Sequence, residues 1–172
     1  WLAVASLGNR IFLASPLRIN DIAHIMQTRD NLSWDNKQAC IISRRERRIN
    51  HLLIGSVPIH DLKTEDVIST LCNAAPKYGT TMFDFNANVQ NLQRRIQIVG
   101  IWHPELELPD VSTEAVLSRA SEWLFTTDIH KVNMCDSIWS LLSYEQQQEV
   151  DRLAPTHIPV PTGSRIKVEY RQ

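Results

Sequence analysis

Leu153-Ala154-Pro155-Thr156-His157-Ile158-Pro159-Val160-Pro161-Thr162-Gly163-Ser164-Arg165-Ile166-Lys167-Val168 marks the point where one kind of chain gives way to another. Proline lacks a backbone N–H and clashes with the preceding turn, so a helix has to stop at Pro155. The Pro/Thr/Gly/Ser cluster after it favours turns. Beyond the cluster Ile166, Val168 and Tyr170 alternate with Lys167, Glu169 and Arg171, the period of a half-buried strand. Helical and extended segments are thus separated along the chain, which is the sequence pattern of the α+β class.

Upstream of Pro155 the apolar residues recur with a period near 3.6. Thr64 is expected to cap a helix with Val67, Ile68, Leu71 and Cys72 inward, and Asp84 the next. Phe85, Val89, Leu92, Ile96 and Val99 form the cleanest stripe, with Gly100 expected to close it. Ser112 is expected to cap a third helix with Val116, Leu117, Ala120, Trp123 and Leu124 facing in. Cys135, Ile138, Trp139 and Leu142 define a fourth. Ser143 and Gln146 have capping-box spacing for a fifth.

Before residue 63 the period is two. Leu2 to Leu7 and Arg10 to Ser15 read as strands joined by Gly8-Asn9, a hairpin turn with glycine first. Asn20 is expected to cap a short helix with Ile22, Ile25 and Met26 on one side. Leu32 to Asp35 reads as a strand that ends in an Asp35-Asn36 turn. Residues 38–54 read as one long strand or a strand pair, with 44–48 alternatively helical. The boundary falls near Leu62: a β unit over 1–62, and a helical unit with a terminal strand over 63–172.

Charge follows the same division. Residues 1–62 carry +3, residues 63–154 carry −6 and residues 155–172 carry +2, within a net charge of −1. An apolar fraction of 43% and a charged fraction of 22% are those of a folded globular chain, which excludes disorder as the dominant state. No stretch approaches the roughly 18 apolar residues of a membrane-spanning helix. Cys40, Cys72 and Cys135 are odd in number and far apart, so each is expected to act as a small core residue in a reducing cytoplasm. Trp1 opens inside an apolar run without an initiator methionine, and the chain is expected to be part of a longer protein.

The five glycines fall in neither G-x-x-x-x-G-K-[ST] nor G-x-G-x-x-G, so the sequence holds no recognisable nucleotide cradle. No C-x-x-C or H-x-x-x-H pair offers a metal site. No nucleophile stands at motif spacing from a histidine, so no catalytic residue is assigned. The candidates are cationic. Arg44, Arg45, Arg47 and Arg48 lie within five residues and could neutralise backbone phosphates. On a strand, Arg45 and Arg47 share one face while Arg44, Glu46 and Arg48 share the other. The same block could instead protect an edge strand by charge or pair with the acidic helices. Arg165 and Lys167 follow the Gly163-Ser164 turn, which can hold an anion or merely seat the strand. Arg94 and Arg95 are expected to be solvated or to pair with acidic neighbours. Trp123 and Trp139 are expected in the core, with Trp34 and Trp102 left as possible stacking platforms.

Taken in order, these phrases resemble HrpB-type DEAH-box helicases. The tail is similar to that family's "APTH-x-x-VPSGSRI" phrase. Trp1-Leu2-Ala3-Val4-Ala5 with Arg10 to Leu17, Trp34-Asp35 with Ser43 to Arg48, Leu108-Pro109-Asp110 with Glu122-Trp123-Leu124, and Leu142 to Gln147 also match in sequence order. In the last, Ser143-Tyr144 replaces Pro-Trp. The resemblance implies the C-terminal region of an ATP-dependent RNA helicase: an OB-like antiparallel β unit, incomplete here, followed by about five helices and a terminal strand. It implies a parent whose hydrolase activity, ATP and Mg belong to upstream RecA-like domains, with no cofactor in this segment. It also implies those domains and single-stranded RNA as partners, with no membrane, in the cytoplasm. The nucleic-acid-binding residues it points to are Arg44, Arg45, Arg47, Arg48, Arg165 and Lys167, contacting phosphate more than base. A docking role without RNA binding is the alternative.

Overall fold

Period-two sequence builds strands and period-3.6 sequence builds helices, so the α+β expectation holds. The computed structural model describes residues 2–7, 10–16, 18–161, 163–168 and 170, with backbone alone for 2–7, 11 and 12. The chain divides into two compact units, Trp1–Leu32 with Ser43–Asp61, and Ser33–Ile42 with Leu62–Gln172. A single cut near Leu62 therefore misses Ser33–Ile42, the tip of a hairpin, which is counted with the helices.

In the first unit β1 (Leu2–Leu7) pairs antiparallel with β2 (Arg10–Pro16). The Gly8-Asn9 turn expected between them lies outside the described residues. α1 (Ile19–Ile22) is one turn, with Arg18 rather than Asn20 at its cap position. The Asp21 carboxylate accepts the Arg18 N–H at 3.0 Å, so the acid secures this start. β3 (Gln27–Asp35), β4 (Cys40–Ile49) and β5 (Leu52–Pro58) form a sheet with β4 in the middle. Residues 38–54 are thus a strand pair, and the helical option for 44–48 is excluded. Asn50 takes φ 51° in the two-residue turn between Ile49 and Leu52, a left-handed conformation asparagine tolerates. Pairing steps from Arg47 opposite Gly55 to Arg48 opposite Leu53, so Ile54 is a bulge residue on β5, and its side chain is buried.

The second unit contains α2 (Thr64–Met82), α3 (Ala87–Trp102), α4 (Thr113–Ser118), α5 (Met134–Ser140) and α6 (Tyr144–Leu153). Lys63, not Thr64, occupies the α2 cap position, and Pro76 lies inside that helix on an exposed side. An interior proline costs about 3 kcal/mol. Burial of Leu71, Ala74, Ala75 and Met82 on the same helix offsets it. Asn86 caps α3 by accepting the Asn88 and Val89 N–H groups at 3.0 and 3.2 Å. The expected cap, Asp84, instead accepts from the Asn86 amide at 2.9 Å. α3 also runs past Gly100 and stops before Pro104, which disfavours helical backbone at His103. Ser112 caps α4 as expected. The Ser143/Gln146 capping box is formed in both directions, at 3.3 and 2.9 Å.

The helical stripes meet in one core that includes Leu71, Val89, Ile96, Val116, Leu124, Ile138 and Val150. Trp123 packs edge-on against Phe83 at 5.2 Å and donates its indole N–H to the Val116 carbonyl at 2.9 Å. Trp139 is only partly buried. Cys72 and Cys135 are partly buried and pack against the core as expected, whereas Cys40 is exposed. After Pro155 the chain closes a short hairpin, β6 (His157–Pro159) against β7 (Arg165–Lys167). Gly163 has φ 84° and gives its N–H to the Val160 carbonyl at 2.9 Å. The strand stops at Lys167, short of the expected alternation, and Glu169 and Arg171 lie outside the described residues. Tyr170 is fixed by side-chain bonds instead: its N–H reaches Asn91 and its hydroxyl donates to the Pro155 carbonyl.

Candidate nucleic-acid interface

β4 carries Arg44, Arg45, Arg47 and Arg48 through the middle of the three-stranded sheet. The edge-strand explanation of this block therefore falls. Strand alternation places the side chains as the period predicts. Arg45 grips Asp30 of β3 through both carboxylate oxygens, Nε–Oδ1 at 2.7 Å and Nη2–Oδ2 at 2.8 Å. On the opposite face Arg48 Nε donates to Glu46 Oε2 at 2.7 Å, and Asn31 reaches Glu46 Oε1 at 3.4 Å. The Arg45 hydrogen bond holds the Asp30 carboxyl below its usual range. The Arg48 bond, then the Asn31 bond, does the same for Glu46. The acids that answer this block come from the sheet itself and not from the helices.

Arg44 and Arg47 are exposed and make no ion pair among the described residues. Beside Arg47, on β5, stands Gly55, where an added Cβ would meet nothing within 4 Å. With Arg29 on β3, five guanidiniums stand against three carboxylates, Asp30, Asp35 and Glu46, on adjacent strands, so the sheet keeps a positive excess. A strand with two guanidiniums that have no acid partner among the described residues, on opposite faces by alternation, offers separate charge-assisted contacts to phosphate oxygens.

Arg165 and Lys167 come together on β7 in the second unit; both are exposed. Lys167 Nζ donates to Asn88 Oδ1 at 3.1 Å. The Gly163 N–H is spent inside its turn, as a strand-seating turn requires. Sequence reasoning allowed Arg95 an acidic partner but missed its burial. It is 4% exposed and not solvated, with Nε on the Ala154 carbonyl and Nη2 on Asp151, each at 2.7 Å. Its position beside the apolar stripe at Leu92, Ile96 and Val99 was the available signal. Of the two open tryptophans, Trp102 is 74% exposed. Trp34 packs against the helical core and is the only described residue whose buried side-chain donor lacks a partner. Among the described residues no three His, Cys, Asp or Glu side chains gather as a metal site, and no helix is long and apolar enough to cross a membrane.

The chain thus holds a sheet with a cationic central strand, followed along the sequence by helices and a terminal hairpin. The family model described as "ATP-dependent helicase C-terminal" matches residues 116–172. The chain is 26% identical to the ATP-dependent RNA helicase HrpB of Escherichia coli over 180 residues, covering 98% of this chain and 22% of that protein. Two crystal structures of E. coli HrpB share the fold. One, described as a DEAH/RHA helicase, gives a TM-score of 0.65 at 22% identity over 94% of this chain and 22% of that one. The other, described as a DExH-box NTPase, gives 0.63 at 23% identity over 99% and 24%. The chain thus spans less than a quarter of the relatives it matches. Family model and curated relative support a resemblance to the C-terminal region of an HrpB-type helicase, and the solved structures share its fold.

Proposed function

We propose that this chain is an accessory C-terminal module of an ATP-dependent RNA helicase and contributes sequence-indifferent contacts to single-stranded nucleic acid through β4. The observation that carries this is the pair Arg44 and Arg47, exposed and without an acid partner among the described residues, on a strand whose other two arginines are already paired. In this reading the β unit is the OB-like part of the parent. ATP and Mg act in upstream RecA-like domains, and the protein works in the cytoplasm. Arg165 and Lys167 add a second cationic patch.

The test is a titration of fluorescent oligo-RNA with the 172-residue chain at two salt concentrations. Each phosphate-contacting arginine contributes about one unit to the slope of log affinity against log salt. Arg44→Ala with Arg47→Ala is expected to weaken binding and flatten that slope by about two units. Binding that is unchanged in this variant, or absent in the parent chain at low salt, would refute the proposal. The −6 charge of residues 63–154 favours a second reading, in which the helices dock the helicase core and bind no RNA. Co-purification with separately expressed RecA-like domains, without RNA affinity, is the outcome that reading requires.

A further inference from the structure

The second unit holds a cleft of about 480 Å³ between α3, α5 and the segment linking α6 to the terminal hairpin. Arg95 lines it. Two of its nitrogens are committed, Nε to the Ala154 carbonyl and Nη2 to Asp151. Nη1 has no partner among the described residues and is not among the sealed polar atoms, so it keeps solvent access on a residue that lines the cleft. The Oδ1 atoms of Asn88 and Asn91 are occupied by the Lys167 ammonium and the Tyr170 backbone N–H, each at 3.1 Å. Ammonium and backbone N–H can only donate, which fixes the orientation of both amides, and their NH2 groups have no acceptor among the described residues. Lys167 keeps further N–H groups of its own.

The polar side of the cleft therefore presents donors from four side chains, with the asparagine oxygens already engaged. Asp151 meets Arg95 through Oδ1 alone, and Asp151 and Asp136 are the two carboxylates among the described residues of the lining. Leu92, Cys135 and Trp139 supply an apolar wall, and the volume lies in the range of small-ligand sites. Donors from four side chains exceed what a two-oxygen carboxylate uses and suit a phosphate. We propose that this cleft binds a nucleotide, with its phosphate on Arg95, Lys167 and the two asparagine amides and its base against Leu92 and Trp139. The proposal deepens the nucleic-acid reading and rests on it for the kind of ligand, but none of its residues lies on β4.

Cys135 reports occupancy, because its thiol lines the cleft, while the exposed Cys40 serves as an internal control. The measurement is the rate of iodoacetamide alkylation at each cysteine by mass spectrometry, with adenosine monophosphate, adenosine, inorganic phosphate or hexaglutamate present. Adenosine monophosphate at about twice its dissociation constant is expected to slow Cys135 about threefold and leave Cys40 unchanged. Lys167→Met is expected to remove that protection, and Arg44→Ala with Arg47→Ala to keep it. No protection by adenosine monophosphate would overturn the proposal. So would equal protection by adenosine, phosphate or hexaglutamate, or protection that survives Lys167→Met. The β4 reading fails instead on the oligo-RNA titration, so the two failures are separable.

Discussion

Arg95 spends two nitrogens on Ala154 and Asp151 and lies 6.0 Å over the Trp139 ring. A buried guanidinium is tolerated only with such partners. Arg95→Met is expected to lower stability by about 2 to 3 kcal/mol, read as a lower urea midpoint. Asp151 is mostly exposed and can be rehydrated, which keeps the loss below that of a fully buried pair. Around β4 the same chemistry acts at the surface. Asp30 and Glu46 have carboxyl groups held below their unfolded values, so what they contribute is present above the unfolded pKa and lost as pH falls through the folded one. Carbon NMR titration should give both a midpoint below that of an ordinary carboxyl. Arg45→Ala should return Asp30 towards the usual range. Protonation would also release Arg45 and Arg48, so affinity for oligo-RNA is expected to rise as pH drops through those midpoints. A flat response would count against β4 as the contact.

Helix starts and stops show what decides an element. Asp84 and Asn86 both have cap chemistry, and only the three-dimensional path of residues 83–86 selects Asn86. Gly100 has a good stop residue's chemistry, but Ile101 and Trp102 continue the helix until Pro104 ends it. Ser143 was legible because its partner Gln146 is local, and Ser143→Ala should cost about 1 kcal/mol in α6. Gly79 depends on a neighbour that sequence does not reveal. A Cβ there would fall on Leu117 Cδ2, with Cδ1 at 2.8 Å, and Leu117 is itself buried. Alanine gains about 1 kcal/mol of helix propensity over glycine. Overpacking costs about 1 to 3 kcal/mol, so Gly79→Ala is expected to be neutral to destabilising in a thermal melt, and added Leu117→Ala should not be additive with it.

At the scale of the molecule, burial is uneven. Among the described residues the sealed apolar side chains belong to the helical unit, apart from Ile22 and Ile54. Leu52, Leu53 and Val57 on β5 are exposed. Local stability follows buried contact, so amide hydrogen exchange should be slowest in α2 and α3 and fast across β3 to β5. Uniform protection through both units would contradict that picture.

The α+β class, the order of strands before helices, the capping box at Ser143 and the cationic block were fixed by local rules of period, proline and charge. Tertiary structure alone decided that β4 is the central strand, that Asp30 and Glu46 neutralise two of its arginines, and that Arg95 turns inward between Asp151 and Ala154. The reason is physical. Period and propensity act between neighbours in the chain, whereas the Asp30–Arg45 pair and the burial of Arg95 on the Ala154 carbonyl depend on groups 15 and 59 residues apart.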